Sequence, residues 1–246
     1  MKILEDIYLV GSGANGLSLT NPYDCNIYLV DCSTELVLID TGSGLEPHRI
    51  EEQIVSEGFH TADISTILIT HAHPDHVAGA VYLKQLTNAN IMLTAHESSM
   101  LSDQKKLDDD MAFFIECGFY PEGSKYTGIK ADEILEDGKT LHIGNKEFQV
   151  VTTPGHTLGS VCFLYDLPGR KILFTGDTIT FEGKINLLCV PDVDLLAYKQ
   201  SIRRLHEMRI DILLPGHRQP ILNSGHVHVE KAHSIFSKLS IPESIA

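Results

Sequence analysis

The segment Thr70-His71-Ala72-His73-Pro74-Asp75-His76 places three imidazoles and a carboxylate within six residues. Imidazole nitrogens and carboxylate oxygens are good ligands for zinc and neighbouring divalent ions. The run leaves an apolar stretch, Ile64 to Thr70, that reads as a buried strand. If the chain continues extended past that strand, His71 and His73 point to one side and can share an ion. A turn at Pro74 then sends Asp75 and His76 toward a second ion. The bland alternative is a row of surface histidines. Four ligand-type residues in six, beside a dry strand, argue against it.

Three further residues follow the same local grammar. His156 lies in Thr153-Pro154-Gly155-His156-Thr157, Asp177 in Thr175-Gly176-Asp177-Thr178, and His217 in Leu214-Pro215-Gly216-His217. Each sits on a turn leaving a strand-like run, where functional loops concentrate, and the neighbouring glycines leave room beside the backbone. Singly, each reads as a structural turn. Taken with the cluster, they read as ligands.

The elements that must hold these residues alternate between strand and helix. Two β-rich runs between Ile27 and Asp40 are separated by a polar turn at Cys32-Ser33-Thr34, and a helical pattern follows from about Glu46 to Glu57. Val77 to Leu86 has helical spacing, and Ile91 to Thr94 is strand-like. The stretch 98–126 breaks the rhythm and is expected to be a mostly helical insertion. Beyond it lie strand-and-turn segments at Thr140–Ile143, Glu147–Thr152, Ser160–Tyr165 and Lys171–Thr175, with turns at Gly144-Asn145 and Pro168-Gly169. A helix over Leu195–Met208, a strand over Ile210–Leu214 and a helix from about Val229 close the chain. Sheets covered by helices are the expected class, α/β, in a single domain over 1–246.

Composition narrows the setting. The 246 residues carry 19 Lys+Arg against 33 Asp+Glu, a formal net charge of −14. That balance argues against a nucleic-acid partner, whose phosphates reward a basic surface. No apolar run approaches the roughly 18 residues of a membrane span. Glu5 and Asp6 stand where a signal peptide would carry its apolar stretch. Five scattered cysteines without a CxxC pair suit a reduced compartment, so a cytoplasmic protein is expected.

With these motifs in order, the sequence resembles the metallo-β-lactamase-fold hydrolases. The likeness rests on HxHxDH at His71 to His76, followed by TPGHT, GDT and PGH, with steps of 80, 21 and 40 residues between His76, His156, Asp177 and His217. Asp40, in Leu38-Ile39-Asp40-Thr41-Gly42, matches a short family motif at the end of an early strand. The resemblance covers about residues 25 to 220. It implies an αβ/βα four-layer sandwich and a centre of two divalent metal ions, zinc first, with iron or manganese accepted by the same ligands. His71, His73 and His156 would hold one ion, and Asp75, His76 and His217 the other. Asp177 would bridge them. A hydroxide between the ions would attack an ester, thioester or lactone carbonyl, with Asp75 orienting it or accepting its proton. Asp40 is expected behind the ligands, accepting a hydrogen bond that orients their loop.

The branch is read from individual residues. Asp177 counts against a true β-lactamase, which lacks the bridging carboxylate. Hydroxyacylglutathione thioesterases share all seven ligands but continue into a basic helical region, whereas 29 residues follow His217 here. Lactonases of this fold usually carry Tyr three residues after the bridging Asp, where this chain has Thr180 and then Phe181. Flavodiiron proteins replace the second His of the cluster with an acid, which His73 excludes. A mononuclear iron persulfide dioxygenase-like enzyme, and a phosphodiesterase of the same fold, stand as alternatives. A small-molecule substrate is expected, without nucleic acid or membrane, and a homodimer is left open.

The insertion carries Met111, Phe113, Phe114, Phe119 and Tyr120. Three readings compete: a lid that covers the site and forms an acyl pocket, a dimer contact, or core packing. Cys162 and Cys189, in apolar runs, are expected to be core residues. His226, His228 and His233 are expected to be solvated, and Asp108 to Asp110 to form a solvated helix face.

Overall fold

A computed structural model describes residues 1–167 and 169–246, so Pro168, half of one expected turn, lies outside the described residues. The chain forms two compact units, Met1–Leu135 and Glu136–Ala246.

The first unit holds a six-stranded sheet in sequence order: β1 (Ile7–Gly11), β2 (Ile27–Asp31), β3 (Leu36–Ile39), β4 (Ile64–Leu68), β5 (Asn90–Thr94) and β6 (Glu133–Leu135). β1 to β3 form an antiparallel meander, and β3 to β6 run parallel. Parallel neighbours need crossovers, and helices supply them. These are α1 (His48–Ser56), then α2 (Pro74–Val77) with α3 (Ala80–Thr87), then α4 (Ala95–Met100) with α5 (Gln104–Glu116). Leu29, Leu38, Ile67 and Ile91 pack with Ile54, Leu83, Leu107 and Met111 in one continuous core. All four residues of β3 are buried.

The expected helical insertion is therefore helical only to Glu116, with turns and irregular chain beyond. Its Leu107, Met111 and Tyr126 belong to the core of this unit, while Phe113 and Phe119 are about half exposed, at 49% and 50%.

The second unit holds a five-stranded sheet in the order β11-β10-β9-β8-β7: β7 (Thr140–Ile143), β8 (Lys146–Thr152), β9 (Val161–Leu167), β10 (Arg170–Gly176) and β11 (Ile212–Pro215). β10 and β11 are parallel and the other pairs antiparallel. β8, β10 and β11 therefore point the same way, and their C-terminal ends share one sheet edge. α6 (Leu195–Met208) and α7 (Gly225–Ser237) cover a core of Leu173, Leu213, Ile202, Leu205, Val229 and Phe236. The α6 N-terminus is capped by Asp194, whose carboxylate accepts from Leu196 N and Ala197 N. No helix among the described residues is long and apolar enough to cross a membrane.

Candidate metal-ligand clusters

In the first unit, sheet topology explains the ligand loop. β3 and β4 are parallel neighbours, with Ile39 opposite Leu68, so the residues just past each strand meet. Asp40, immediately after β3, takes the Thr70 N–H at 2.8 Å on Oδ1. Its Oδ2 lies 2.8 Å from His76 Nδ1 and accepts the Thr70 hydroxyl at 2.9 Å. A carboxylate at Nδ1 makes that nitrogen the proton carrier and leaves Nε2 as the donor atom for a metal. Asp40 thus meets His76 on the side of the ring away from Nε2. It holds a left-handed φ of +62°, a conformation that short polar residues tolerate.

The local backbone sets where each expected ligand points. His73 precedes Pro74, which forces an extended conformation (φ −70°, ψ 147°), and Pro74 opens the single turn of α2. An extended His71-Ala72-His73 brings His71 Nε2 to 3.0 Å from His73 Nδ1. The helical turn aims Asp75 and His76 together, with Oδ2 3.6 Å from His76 Nε2. Thr70 Oγ1, 3.1 Å from His71 Nδ1, steadies the second face of that ring.

The Ala72 peptide between the two histidines is clamped from both sides. Buried Glu97 accepts its N–H at 2.9 Å, and the Tyr126 hydroxyl donates to its carbonyl. Tyr120 donates from its hydroxyl to Asp75 Oδ1 at 3.2 Å. Burial and the neighbouring Asp75 charge push the Tyr120 phenol well above its usual range, so it remains a donor. The Phe114 ring meets His73 edge-on at 6.3 Å. Sequence reasoning placed Phe114 and Tyr120 only among the apolar residues of the insertion and did not single out Tyr126 or Glu97. Cys25 was missed as well: its thiol lies in one buried group with Asp40 and His76.

In the second unit, the three expected ligands leave the shared sheet edge: His156 after β8, Asp177 directly after β10, and His217 after β11. Asp177 Oδ2 lies 3.4 Å from His156 Nε2 and 3.4 Å from His217 Nε2. His156 Nδ1 sits 2.7 Å from the Asn186 carbonyl, which can only accept, so Nε2 faces Asp177 with its lone pair. Asn186 Nδ2 donates to the same Asp177 oxygen at 2.5 Å. Tyr198 hydrogen-bonds the carbonyls of Asp177 and Thr178, both at 2.9 Å, and so fixes the turn from below. Gly155 is required next to His156, because a Cβ there would come within 2.5 Å of Tyr198. Thr180 donates to the His217 carbonyl at 3.0 Å, holding the backbone of an expected ligand. Asn186 and Tyr198 carried no sequence signal, since each acts over a long sequence separation.

Both clusters have the spacing and the donor atoms that a divalent ion needs. Metal bonds of about 2.0–2.1 Å in tetrahedral geometry put ligand atoms roughly 3.3–3.4 Å apart. The observed separations of 3.0, 3.4, 3.4 and 3.6 Å lie around that value. Imidazole with carboxylate is also a donor set that suits zinc, iron and manganese. The residues fit.

Away from the clusters, one cysteine expectation is corrected. Cys162 is buried, but Cys189 is exposed, because its apolar neighbours line an open cavity rather than a core.

The profile of the metallo-beta-lactamase superfamily matches residues 20–217. An atrochrysone carboxyl ACP thioesterase of Aspergillus fumigatus is 29% identical over 203 residues, covering 80% of this chain and 52% of that protein. A hydroxyacylglutathione hydrolase of Pseudomonas putida is 34% identical over 120 residues, covering 49% and 35%. The human acyl-coenzyme A thioesterase MBLAC2 is 28% identical over 207 residues, covering 78% and 72%. The chain thus spans about half or less of the first two. Among solved structures, a subclass B3 metallo-beta-lactamase of Bradyrhizobium japonicum superposes with a TM-score of 0.73 at 22% identity, covering 97% of this chain and 92% of that one. A metallo-beta-lactamase family protein of Thermus thermophilus reaches 0.74 at 23%, covering 96% and 80%. These likenesses show the metallo-β-lactamase fold. With the superfamily profile spanning most of its length, the chain belongs to the metallo-beta-lactamase superfamily.

Proposed function

We propose that the protein is a dinuclear metal-dependent hydrolase that cleaves a carbonyl ester bond, with acyl thioesters placed before lactones and other esters. The observation that carries this reading is Asp177, whose Oδ2 faces the donor nitrogens of both His156 and His217 at 3.4 Å. A carboxylate so placed suits a bridge between ions. His71, His73, Asp75 and His76 complete the seven-ligand set that the family motif assigns. Two divalent ions, when bound, supply a water of lowered pKa and polarise the acyl oxygen.

The protein's own groups do the rest. Asp40 and the Asn186 carbonyl fix the tautomers of His76 and His156, so that both rings offer Nε2. Asp75 orients the attacking water and accepts its proton, which the departing thiolate or alkoxide can then take up. Two observations favour an apolar acyl group. Relatives are named as thioesterases, one of them an acyl-coenzyme A thioesterase. The second unit also carries a cavity of about 860 Å³ lined by Leu158, Leu187, Leu188, Val190 and Leu196, beginning two residues beyond His156. Thr180, which donates to the His217 backbone, cannot assist a carbonyl as the lactonase Tyr does, and this supports placing lactones second.

The test is a metal analysis of purified protein combined with a panel of acyl-coenzyme A thioesters, lactones, phosphodiesters and β-lactams. Thioester turnover that is lost on chelation and restored by Zn²⁺, with two ions per chain, is expected. Turnover confined to phosphodiesters, or O₂ consumption with a single iron, would overturn the reading.

A further inference from the structure

We propose that Tyr120 is a positioning residue for Asp75, and that residues 98–126 form a fixed bracket for the ligand loop. The inference rests on the reading of Asp75 as a metal ligand. A carboxylate can turn about its Cβ–Cγ bond, exchange its oxygens, or bind an ion through both. Tyr120 removes that freedom by donating to Oδ1 at 3.2 Å, while Oδ2 keeps to the side of His76 Nε2 at 3.6 Å. The Asp75 side chain is 18% exposed, so solvent competes for it, and an oriented donor matters more than in a sealed core.

The phenol itself is held in place. Its ring stacks on Tyr23 at 5.8 Å with planes 28° apart, and meets Phe114 edge-on at 6.1 Å. Phe114 in turn packs against the His73 ring, so one aromatic group contacts two of the expected ligands. The segment is rooted in the core of the first unit through Leu107 and Met111 before this group and through Tyr126 after it. Tyr126 reaches a third point of the same loop, the Ala72 carbonyl. Three contacts on Ala72, His73 and Asp75, from a segment anchored on both sides, describe a bracket. Donors of this kind behind metal ligands typically carry about 10- to 100-fold in affinity.

The experiment uses the full chain, stripped of metal and titrated with Zn²⁺ against a chromophoric chelator. Co²⁺ absorption spectra and metal-free melting curves are recorded alongside. Four proteins form a cycle: wild type, Tyr120→Phe, Asp75→Asn, and the double variant. Tyr120→Phe should melt like wild type without metal, yet bind the weaker ion about 10- to 100-fold less tightly, with an altered Co²⁺ spectrum. Its kcat should fall more than its KM rises. In the Asp75→Asn background the same change should have no further effect on affinity. Tyr120→His, which restores a ring N–H, should recover part of the loss and guards against a folding defect in Tyr120→Phe. Wild-type affinity and spectrum in Tyr120→Phe, or an equal loss in both backgrounds, would overturn the role of Tyr120 alone. A wild type that binds no metal would overturn this inference together with the proposed function.

Discussion

Asp40 and His76, 36 residues apart, meet through a 2.8 Å contact between Oδ2 and Nδ1, and both side chains are almost wholly buried. The pair exists because β3 and β4 are parallel neighbours, so the residue after one strand is delivered to the loop after the other. Asp40 also takes both donors of Thr70, and one carboxylate thereby sets the loop backbone and the His76 tautomer together.

Asp40→Asn is therefore expected to weaken metal binding and turnover by about 10- to 100-fold. Asn tolerates the left-handed backbone at this position, so the substitution removes charge while sparing the turn. Zinc affinity by chelator competition checks this. An unchanged affinity would mean that the His76 orientation is set elsewhere.

The Ala72 clamp predicts a loss of stability that Asp40→Asn should not show. Glu97→Ala leaves the N–H between His71 and His73 buried without its acceptor, at a cost of about 1–3 kcal/mol. Glu97→Gln retains an acceptor and should cost less. Melting temperatures of the metal-free proteins decide the point: equal melting of Glu97→Ala and wild type would show that the clamp carries no energy.

What was legible in the sequence follows from range. His71, His73, Asp75 and His76 are spaced by local backbone, with Pro74 switching the chain from extended to helical, and a short motif records that directly. His156, Asp177 and His217 stood out because each lies on a short turn within four residues of a strand end. Tyr120, Tyr126, Glu97 and Asn186 act across the fold, reaching 45, 54, 25 and 30 residues respectively. Nothing in their neighbourhoods marks them. In the insertion, aromatic composition suggested an apolar cover, and only the fold shows two phenols there serving as hydrogen-bond donors. Cys189 misled for a related reason, since apolar neighbours line a cavity as readily as a core.

At the second cluster, fold and function should separate. Asp177→Ala is expected to abolish turnover and lower metal content while the chain stays folded, because Tyr198 holds the turn through the carbonyls of Asp177 and Thr178 rather than through the side chain. Asn186→Ala removes only the donor to Oδ2 and should give a graded loss of about 10- to 100-fold. Circular dichroism with metal analysis tests both. A collapse of native signal in Asp177→Ala would contradict the separation.

The thiols provide a pH-dependent test. Cys25, Cys32 and Cys162 are buried, whereas Cys117 and Cys189 are exposed. Only thiolates react with Ellman's reagent, so at pH 8 two thiols should react in the native protein and all five after unfolding. Burial pushes the Cys162 thiol up to about 11, offset in part by hydrogen bonds with Thr153 and Thr178. A raised value means that the fold prefers the neutral thiol. Its contribution is fully present below the ordinary thiol range and is lost as pH rises from about 9 through about 11. Across that window the loss attributable to Cys162 is on the order of 2–3 kcal/mol. Cys162→Ala should be less stable than wild type at pH 8, through the lost packing, yet lose less stability between pH 9 and pH 11. Denaturant unfolding of both proteins at several pH values measures the difference. Parallel curves across the alkaline range would show that ionisation of Cys162 is not coupled to folding.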